Sequence, residues 1–133
     1  MIDLLTKMVK NKKILVLGFG KEGQSTYNLL CQLNVCKKID ISDINEPQNK
    51  FLQESIVYSG NTYLDCLDFY DIVFKSPGIV LPKNINEYKC IITSQTDIFL
   101  AAYNRQVIGI TGTKGKSTVS SLLYHVLSCM DIY

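Results

Sequence analysis

Two glycine-bearing stretches hold the residues that could do chemistry. The first, Gly18-Phe19-Gly20-Lys21-Glu22-Gly23, follows the apolar run Ile14–Leu17 and fits the spacing G-x-G-x-x-G. Each glycine has its own task in that setting. Gly18 permits a tight turn, Gly20 lets a phosphate approach the backbone, and Gly23 lets a helix pack close to a strand. A helix opening there presents free N–H groups and the positive end of its dipole to an anion. Lys21 suits a diphosphate, whereas Glu22 suits one only if it faces away. The second stretch, "GITGTKGKST" from Gly109 to Thr118, is the stronger signal. A phosphate loop needs consecutive backbone N–H groups turned inward, and small residues (Gly112, Thr113, Gly115) permit that curvature around Lys114. Lys116 offers a point charge to the β- and γ-phosphates, Ser117 a hydroxyl to Mg²⁺, and Thr118 starts a helix. The strict spacing asks for glycine at position 110, where this chain has Ile110, so the loop is a variant.

Two smaller features sit beside these. Asp43 ends an alternating segment twenty residues past Gly23. An acid at that place suits a ribose hydroxyl, which keeps a nicotinamide dinucleotide reading open. Competing readings are a glycine turn that only packs helix on sheet, and an aspartate exposed in a turn before Pro47. "DIVFKSPGI", Asp71 to Ile79, is a strand that ends in Ser76-Pro77-Gly78. It offers a hydroxyl and bare backbone where ligands of open parallel sheets bind, and a plain loop is the alternative.

The elements that must position these residues alternate along the chain. An amphipathic helix is predicted over "MIDLLTKMVKN", and a strand buried on both faces over "KKILVLG". A helix follows the first glycine loop, with Asn34 as its stop. Strands are predicted at "KKIDISD", "SIVYSG", "DIVFKSPG" and "CIITS". "NEPQNKFLQES" reads as a turn and short helix, and "NTYLDCLDFY" as weakly helical. "QTDIFLAAYNR" reads as a helix with Gln95 or Thr96 near its cap. "QVIGIT" is predicted as a sixth strand, and Lys116 to Leu127 as the last helix. This order implies an α/β fold: a Rossmann-like open parallel sheet of about five strands with helices on both faces. The first strand, phosphate loop and helix of a second α/β domain follow it. The boundary falls in residues 93–106.

Bulk properties narrow the class. The 133 residues are 47% hydrophobic and 20% charged, enough for a packed core. A net charge of +2 is too small to imply a nucleic-acid partner. Lys10, Lys12 and Lys13 read as a solvated strand entry. The five cysteines are odd in number, none is spaced C-x-x-C, and His125 is the only histidine. Neither a disulfide framework nor a zinc site follows, and reduced thiols in a cytoplasmic protein are expected. No run has the length of a membrane span, and the first residues lack a signal peptide's apolar segment.

Four stretches, "ILVLGFGKEGQS", "DIVFKSPGI", "SQTDIFL" and "VIGITGTKGKSTV", resemble the Mur ligase family in order and approximate spacing, most closely its D-glutamate-adding members. The likeness covers essentially the whole chain. The variant loop is the superfamily's own, shared with folate-adding ligases, so Ile110 is no anomaly. The resemblance implies an ATP-dependent ligase that phosphorylates the alanine carboxylate of UDP-N-acetylmuramoyl-L-alanine, whose acyl phosphate the amine of D-glutamate then attacks. It implies ATP at Gly112, Thr113, Lys114, Gly115, Lys116, Ser117 and Thr118, with Lys116 on the phosphates and Mg²⁺ on Ser117. It places Gly18, Gly20, Lys21, Glu22, Gly23, Ser76 and Gly78 near the diphosphate and Asp43 near uracil or ribose. Family members often carry a basic residue where this chain has Asn45. The implied domains are 1–93 for the UDP-sugar, 94–106 as connector, and 107–133 as the start of the ATP-binding domain. The full enzyme is expected to be a monomer without nucleic-acid or membrane partners. These 133 residues alone are expected to lack ligase activity, with the segment after about 106 mobile or docked. Outside the resemblance, a nucleotide-binding module without catalysis and a small kinase are the other readings. A kinase would carry its phosphate loop after the first strand, not the sixth.

Overall fold

The computed structural model describes residues 1–47 and 55–130. Its centre is the apolar run already singled out. Strand β1 (Lys13–Leu17) pairs in parallel with β2 (Lys38–Asp43) on one side and β4 (Ile72–Lys75) on the other. Strands β3 (Val57–Ser59) and β5 (Ile91–Thr93) complete a five-stranded parallel sheet of order β3-β2-β1-β4-β5. The chain builds outward from β1 through β2 to β3, then crosses back to β4 and β5. The order therefore reverses between β1 and β4, and a parallel sheet opens a crevice for ligands at such a point.

Side-chain alternation sends β1 residues into two separate cores. Ile14 and Val16 join Ile41, Ile72 and Phe74 beneath α1 (Ile2–Val9), α2 (Lys21–Leu33) and α3 (Gln95–Tyr103). Leu5, Val9, Leu30 and Ile98 are the buried apolar side chains these helices contribute. Leu15, Leu17 and Val73 face the other way, against Cys66, Leu67, Tyr70 and Cys90. That second face is covered by 3-10 turns at Gly60–Thr62 and Leu67–Phe69. The expected helices on both faces are thus unequal among the described residues: three α-helices on one side, short 3-10 turns on the other. The segment "NTYLDCLDFY" is too rich in β-branched, aromatic and Asp residues to hold longer helical turns. Most of the short helix expected over "NEPQNKFLQES" lies outside the described residues.

Three local details follow from residue type. Asn34 closes α2 in the left-handed conformation, φ 49° and ψ 38°, with its N–H on the Leu30 and Cys31 carbonyls. Gln95 and Thr96 lie beside the cap of α3, which is Ser94: its Oγ accepts the Asp97 N–H at 3.1 Å. Residues 106–111, expected as a sixth strand, form no ladder. A strand is defined by its neighbour, and no described strand pairs with this apolar run. The last helix, α4 (Lys116–Cys129), buries none of its residues and belongs to neither core.

The second core also sets a response to alkali. Burial pushes the Cys66 and Cys90 thiols above their ordinary 9.0. Burial, with the hydrogen bond to Asp40, pushes the Tyr70 hydroxyl above its ordinary 10.0. The folded chain holds these protons after the unfolded chain has released them. Their stabilisation is fully present below about pH 9 and is lost as pH climbs toward the raised values, by at most about 1.4 kcal/mol per pH unit for each group. Urea midpoints are expected to hold steady from about pH 7 to 8.5 and to fall above about pH 9. A midpoint unchanged at about pH 10.5 would contradict this.

Candidate functional site at the carboxyl edge of the sheet

The two central strands end in the two turns that the sequence marked. β1 runs into Gly18 and β4 into Ser76. The Ser76 N–H donates to the Leu17 carbonyl at 2.9 Å, and Ser76 Oγ donates to the Gly18 carbonyl at 3.1 Å. Gly18 sits at φ +89°, and a Cβ there would lie 2.8 Å from Ser76 Cβ, Ser76 Oγ and Ile79 Cδ1. Only glycine serves where the chain turns this way and another turn is packed against it. The glycine loop and the Ser-Pro-Gly turn, fifty-eight residues apart, therefore form one surface at the switch point.

The loop's other glycines divide the work. A Cβ on Gly23 would fall 1.9 Å from the Gly18 carbonyl oxygen, so α2 lies directly on the end of β1. A Cβ on Gly20 would meet nothing within 4 Å. Gly20 is the N-cap of α2 and has no side chain to satisfy the first N–H groups of Lys21, Glu22 and Gly23. The helix thus presents bare donors beside open space, the arrangement an anion requires. Lys21 is exposed in that first turn, and Glu22 is half-buried. Gly78 is exposed, in the turn closed by Ile79 N–H on the Ser76 carbonyl at 3.3 Å.

Asp43 is bound to the loop rather than standing apart from it. Its Oδ2 accepts the Phe19 N–H at 2.6 Å, and its Oδ1 accepts the Asn45 N–H at 2.9 Å. A carboxylate receiving two backbone donors fixes both turns firmly. Its spacing alone suggested a ribose contact; the register explains the bond to Phe19. Leu17 pairs with Ser42, so the next residues on each strand emerge side by side.

Two positioning residues escaped the sequence reading. Lys75 Nζ donates to the Ser76 carbonyl at 3.0 Å and to the Ile79 carbonyl at 2.9 Å, and so braces the Ser-Pro-Gly turn. Gln95 Nε2 donates to Thr26 Oγ1 at 2.7 Å and to the Glu22 carbonyl at 3.3 Å, which ties the start of α3 to the first turn of α2. A lysine directly before "SPG" was a usable signal for the first. Nothing local marks the second, whose partners lie about seventy residues away in sequence.

The second loop has its own geometry. Gly115, at φ +80°, is the N-cap of α4, and Lys116 Nζ donates back to the Gly112 carbonyl at 2.6 Å. The loop is thus drawn around its own lysine. Thr113, Lys114, Ser117 and Thr118 are exposed, and no acid occupies the first turn of α4.

The chain is 31% identical over 130 residues to the UDP-N-acetylmuramoylalanine–D-glutamate ligase of Acetivibrio thermocellus, a match covering 91% of this chain and 28% of that protein. It is 34% identical over 125 residues to the enzyme of the same name from Leptospira interrogans, covering 90% of this chain and 26% of that one. The chain is homologous to the D-glutamate-adding Mur ligases. The Thermotoga maritima ligase gives 34% over 124 residues, with 87% of this chain and 29% of the relative covered. The chain therefore spans between a quarter and a third of the length of these Mur ligases. No protein-family model matches it, and no solved structure does. No helix among the described residues is long and apolar enough to cross a membrane.

Proposed function

We propose that residues 1–93 hold the UDP-sugar of a ligase that joins D-glutamate to UDP-N-acetylmuramoyl-L-alanine. Residues 94–106 then connect to the beginning of its ATP-binding domain at 107–133. The observation that carries this is the Ser76–Gly18 contact, which joins two donor-rich turns at the switch point of a parallel sheet. In this reading the N–H groups of Lys21, Glu22 and Gly23, with Gly20 giving access and Gly18 the turn, take the diphosphate. Ser76 and Gly78 border it, and Lys75 keeps their turn in place. Asp43 orders the loop and stands nearest the ribose or uracil.

The second loop fits a magnesium nucleotide by the chemistry of its donors. It offers glycine backbone, two lysines, two hydroxyls at the helix start and no opposing acid. Gly112 to Thr118 would hold the phosphates of ATP, with Lys116 as the catalytic charge and Ser117 toward Mg²⁺; ATP supplies the phosphoryl group that activates the alanine carboxylate. Lys116 would exchange the Gly112 carbonyl for a phosphate oxygen. Such chemistry is mostly positioning and charge neutralisation. The reading carries with it a cytoplasmic, monomeric full enzyme with no nucleic-acid or membrane partner.

A calorimetric titration with UDP-N-acetylmuramoyl-L-alanine tests it. Saturable heat with one site per chain is expected. No heat at millimolar ligand, or fluorescence enhancement of NADH instead, would overturn it. The nicotinamide alternative is the weaker one, because both Asp43 oxygens already hold backbone N–H groups.

A further inference from the structure

The opposite edge of the sheet, at the strand starts, carries a cavity of about 420 Å³ that the function above does not use. Lys12, Lys13 and Lys89 line it together with Phe69, Asp68 and Asp71. Phe69 is 70% exposed, unusual for a large aromatic ring beside a packed core. The lysines come from distant parts of the sequence. Backbone hydrogen bonds from the Lys37 and Lys38 N–H groups to the Lys12 carbonyl bring a further exposed lysine, Lys37, to the same edge.

The two aspartates offset these lysines only in part: three lysines line the cavity against two carboxylates, and Lys37 is a fourth at the same edge. Asp71 Oδ2 accepts the Lys13 backbone N–H at 2.7 Å, and Asp68 Oδ1 accepts the Lys89 backbone N–H at 2.8 Å. Among the described residues the only ion pair is Lys38 with Asp40, so the ammonium groups around the cavity have no carboxylate partner. By sequence, Lys12 and Lys13 are a solvated strand entry. The fold adds Lys89 and an exposed ring to them.

We propose that this cavity is a docking site for an acidic protein segment that carries an aromatic or large apolar residue. The ring beside Phe69 would supply contact area, and the lysine rim would steer and select the acidic flanks. The exposed Phe69 ring favours a segment with an apolar side chain over a small anion filling the cavity alone. Its concavity fits a chain segment better than a flat bilayer. The site lies across the sheet from the UDP-sugar edge and does not rest on that assignment.

The test uses the 133-residue chain and a fluorescein-labelled peptide of repeated Glu-Glu-Phe, read by fluorescence anisotropy at low salt. Saturable binding is expected, weakened roughly tenfold by Lys12→Glu, by Lys89→Glu and by Phe69→Ser, since charged rims and buried rings carry such contacts. Lys83→Glu makes the same change in net charge outside the cavity and is expected to leave binding unchanged. Phe69→Ser alters an exposed side chain, and its urea midpoint confirms folding. No binding at millimolar peptide would overturn the proposal. So would an equal loss in Lys83→Glu, or equal binding of a poly-glutamate without phenylalanine. Preferential binding to phosphatidylglycerol vesicles, lost in the same variants, would overturn it in favour of a membrane surface.

Discussion

Gly23→Ala is expected to cost the fold about 2 kcal/mol net and to abolish the proposed UDP-sugar binding, whereas Gly20→Ala keeps the fold and loses only the binding. The reason lies in what each new methyl would touch. At Gly23 it would lie 1.9 Å from the Gly18 carbonyl oxygen and 2.9 Å from the Gly18 carbonyl carbon, with Val16 Cγ1 behind at 3.4 Å. Backbone cannot swing aside as a long side chain can. Either α2 lifts off β1 or the Gly18 peptide rotates, and the second breaks the bond from Ser76 Oγ. Overpacking usually costs about 1–3 kcal/mol, and a collision with backbone belongs at the top of that range. Alanine would otherwise gain about 1 kcal/mol over glycine within a helix, so the expected loss is net of that gain. At Gly20 the methyl meets nothing within 4 Å and φ is an ordinary −68°. An N-cap change of this kind costs about 1 kcal/mol at most, yet the methyl stands where a phosphate would approach. Urea midpoints and calorimetric titrations of both variants separate the effects. Wild-type stability in Gly23→Ala would remove the packing argument. Undiminished affinity in Gly20→Ala would remove the phosphate from this loop.

The glycine loops were legible because what they need is local. A run of apolar residues, a turn only glycine can make and a helix start all lie within a dozen positions. The Ser-Pro-Gly turn was legible as a place but not as a partner, since its contact with Gly18 depends on β1 and β4 becoming neighbours. Asp43 shows the limit more sharply. Spacing put it at the right edge, but the choice between a ligand and the Phe19 N–H is decided by the β1–β2 register. Lys75 and Gln95 are ordinary polar residues until folding supplies their carbonyls. Residues 106–111 failed in the other direction. Their apolar pattern says strand, yet a pattern can only propose an edge for pairing.

The alternation in "KKIDISD" misleads for a related reason. It puts Ile39 and Ile41 on one face, and the polar Asp40 and Ser42 on the other face are fully buried too, like Ile41. The turns at residues 60–70 cover that face. Ser42 Oγ donates to the Tyr63 carbonyl, and Asp40 becomes a shared acceptor. Its Oδ1 takes the Ile56 N–H at 2.8 Å. Its Oδ2 takes the Tyr70 hydroxyl at 2.5 Å and lies 2.8 Å from Lys38 Nζ. Tyr58 Oη stands 3.3 Å from Tyr70 Oη and extends the chain. A buried network of this kind is stable only when every member is satisfied.

Asp40→Ala is therefore expected to destabilise the chain by about 3–5 kcal/mol, because it strands a buried hydroxyl and a backbone N–H at once. Asp40→Asn keeps an acceptor for the Ile56 N–H but loses the charge, so its cost should fall between. Lys38→Met should cost about 1 kcal/mol or less, since the lysine side chain is 40% exposed and its ion pair is screened by solvent. The order Ala, Asn, then Lys38→Met distinguishes a hydrogen-bonded acceptor from a simple charge pair. Equal losses in Asp40→Ala and Lys38→Met would favour the charge pair and sink the network. The site provides a second readout. Asp40 lies three residues before Asp43 on the same strand, but the Asp43 bonds to Phe19 and Asn45 involve none of the network's atoms. In Asp40→Asn, well below its unfolding midpoint, UDP-sugar affinity should therefore match the parent chain. A drop in affinity without a matching rise in unfolded fraction would mean that the buried carboxylate sets the position of the glycine loop, not merely the stability of the sheet beneath it.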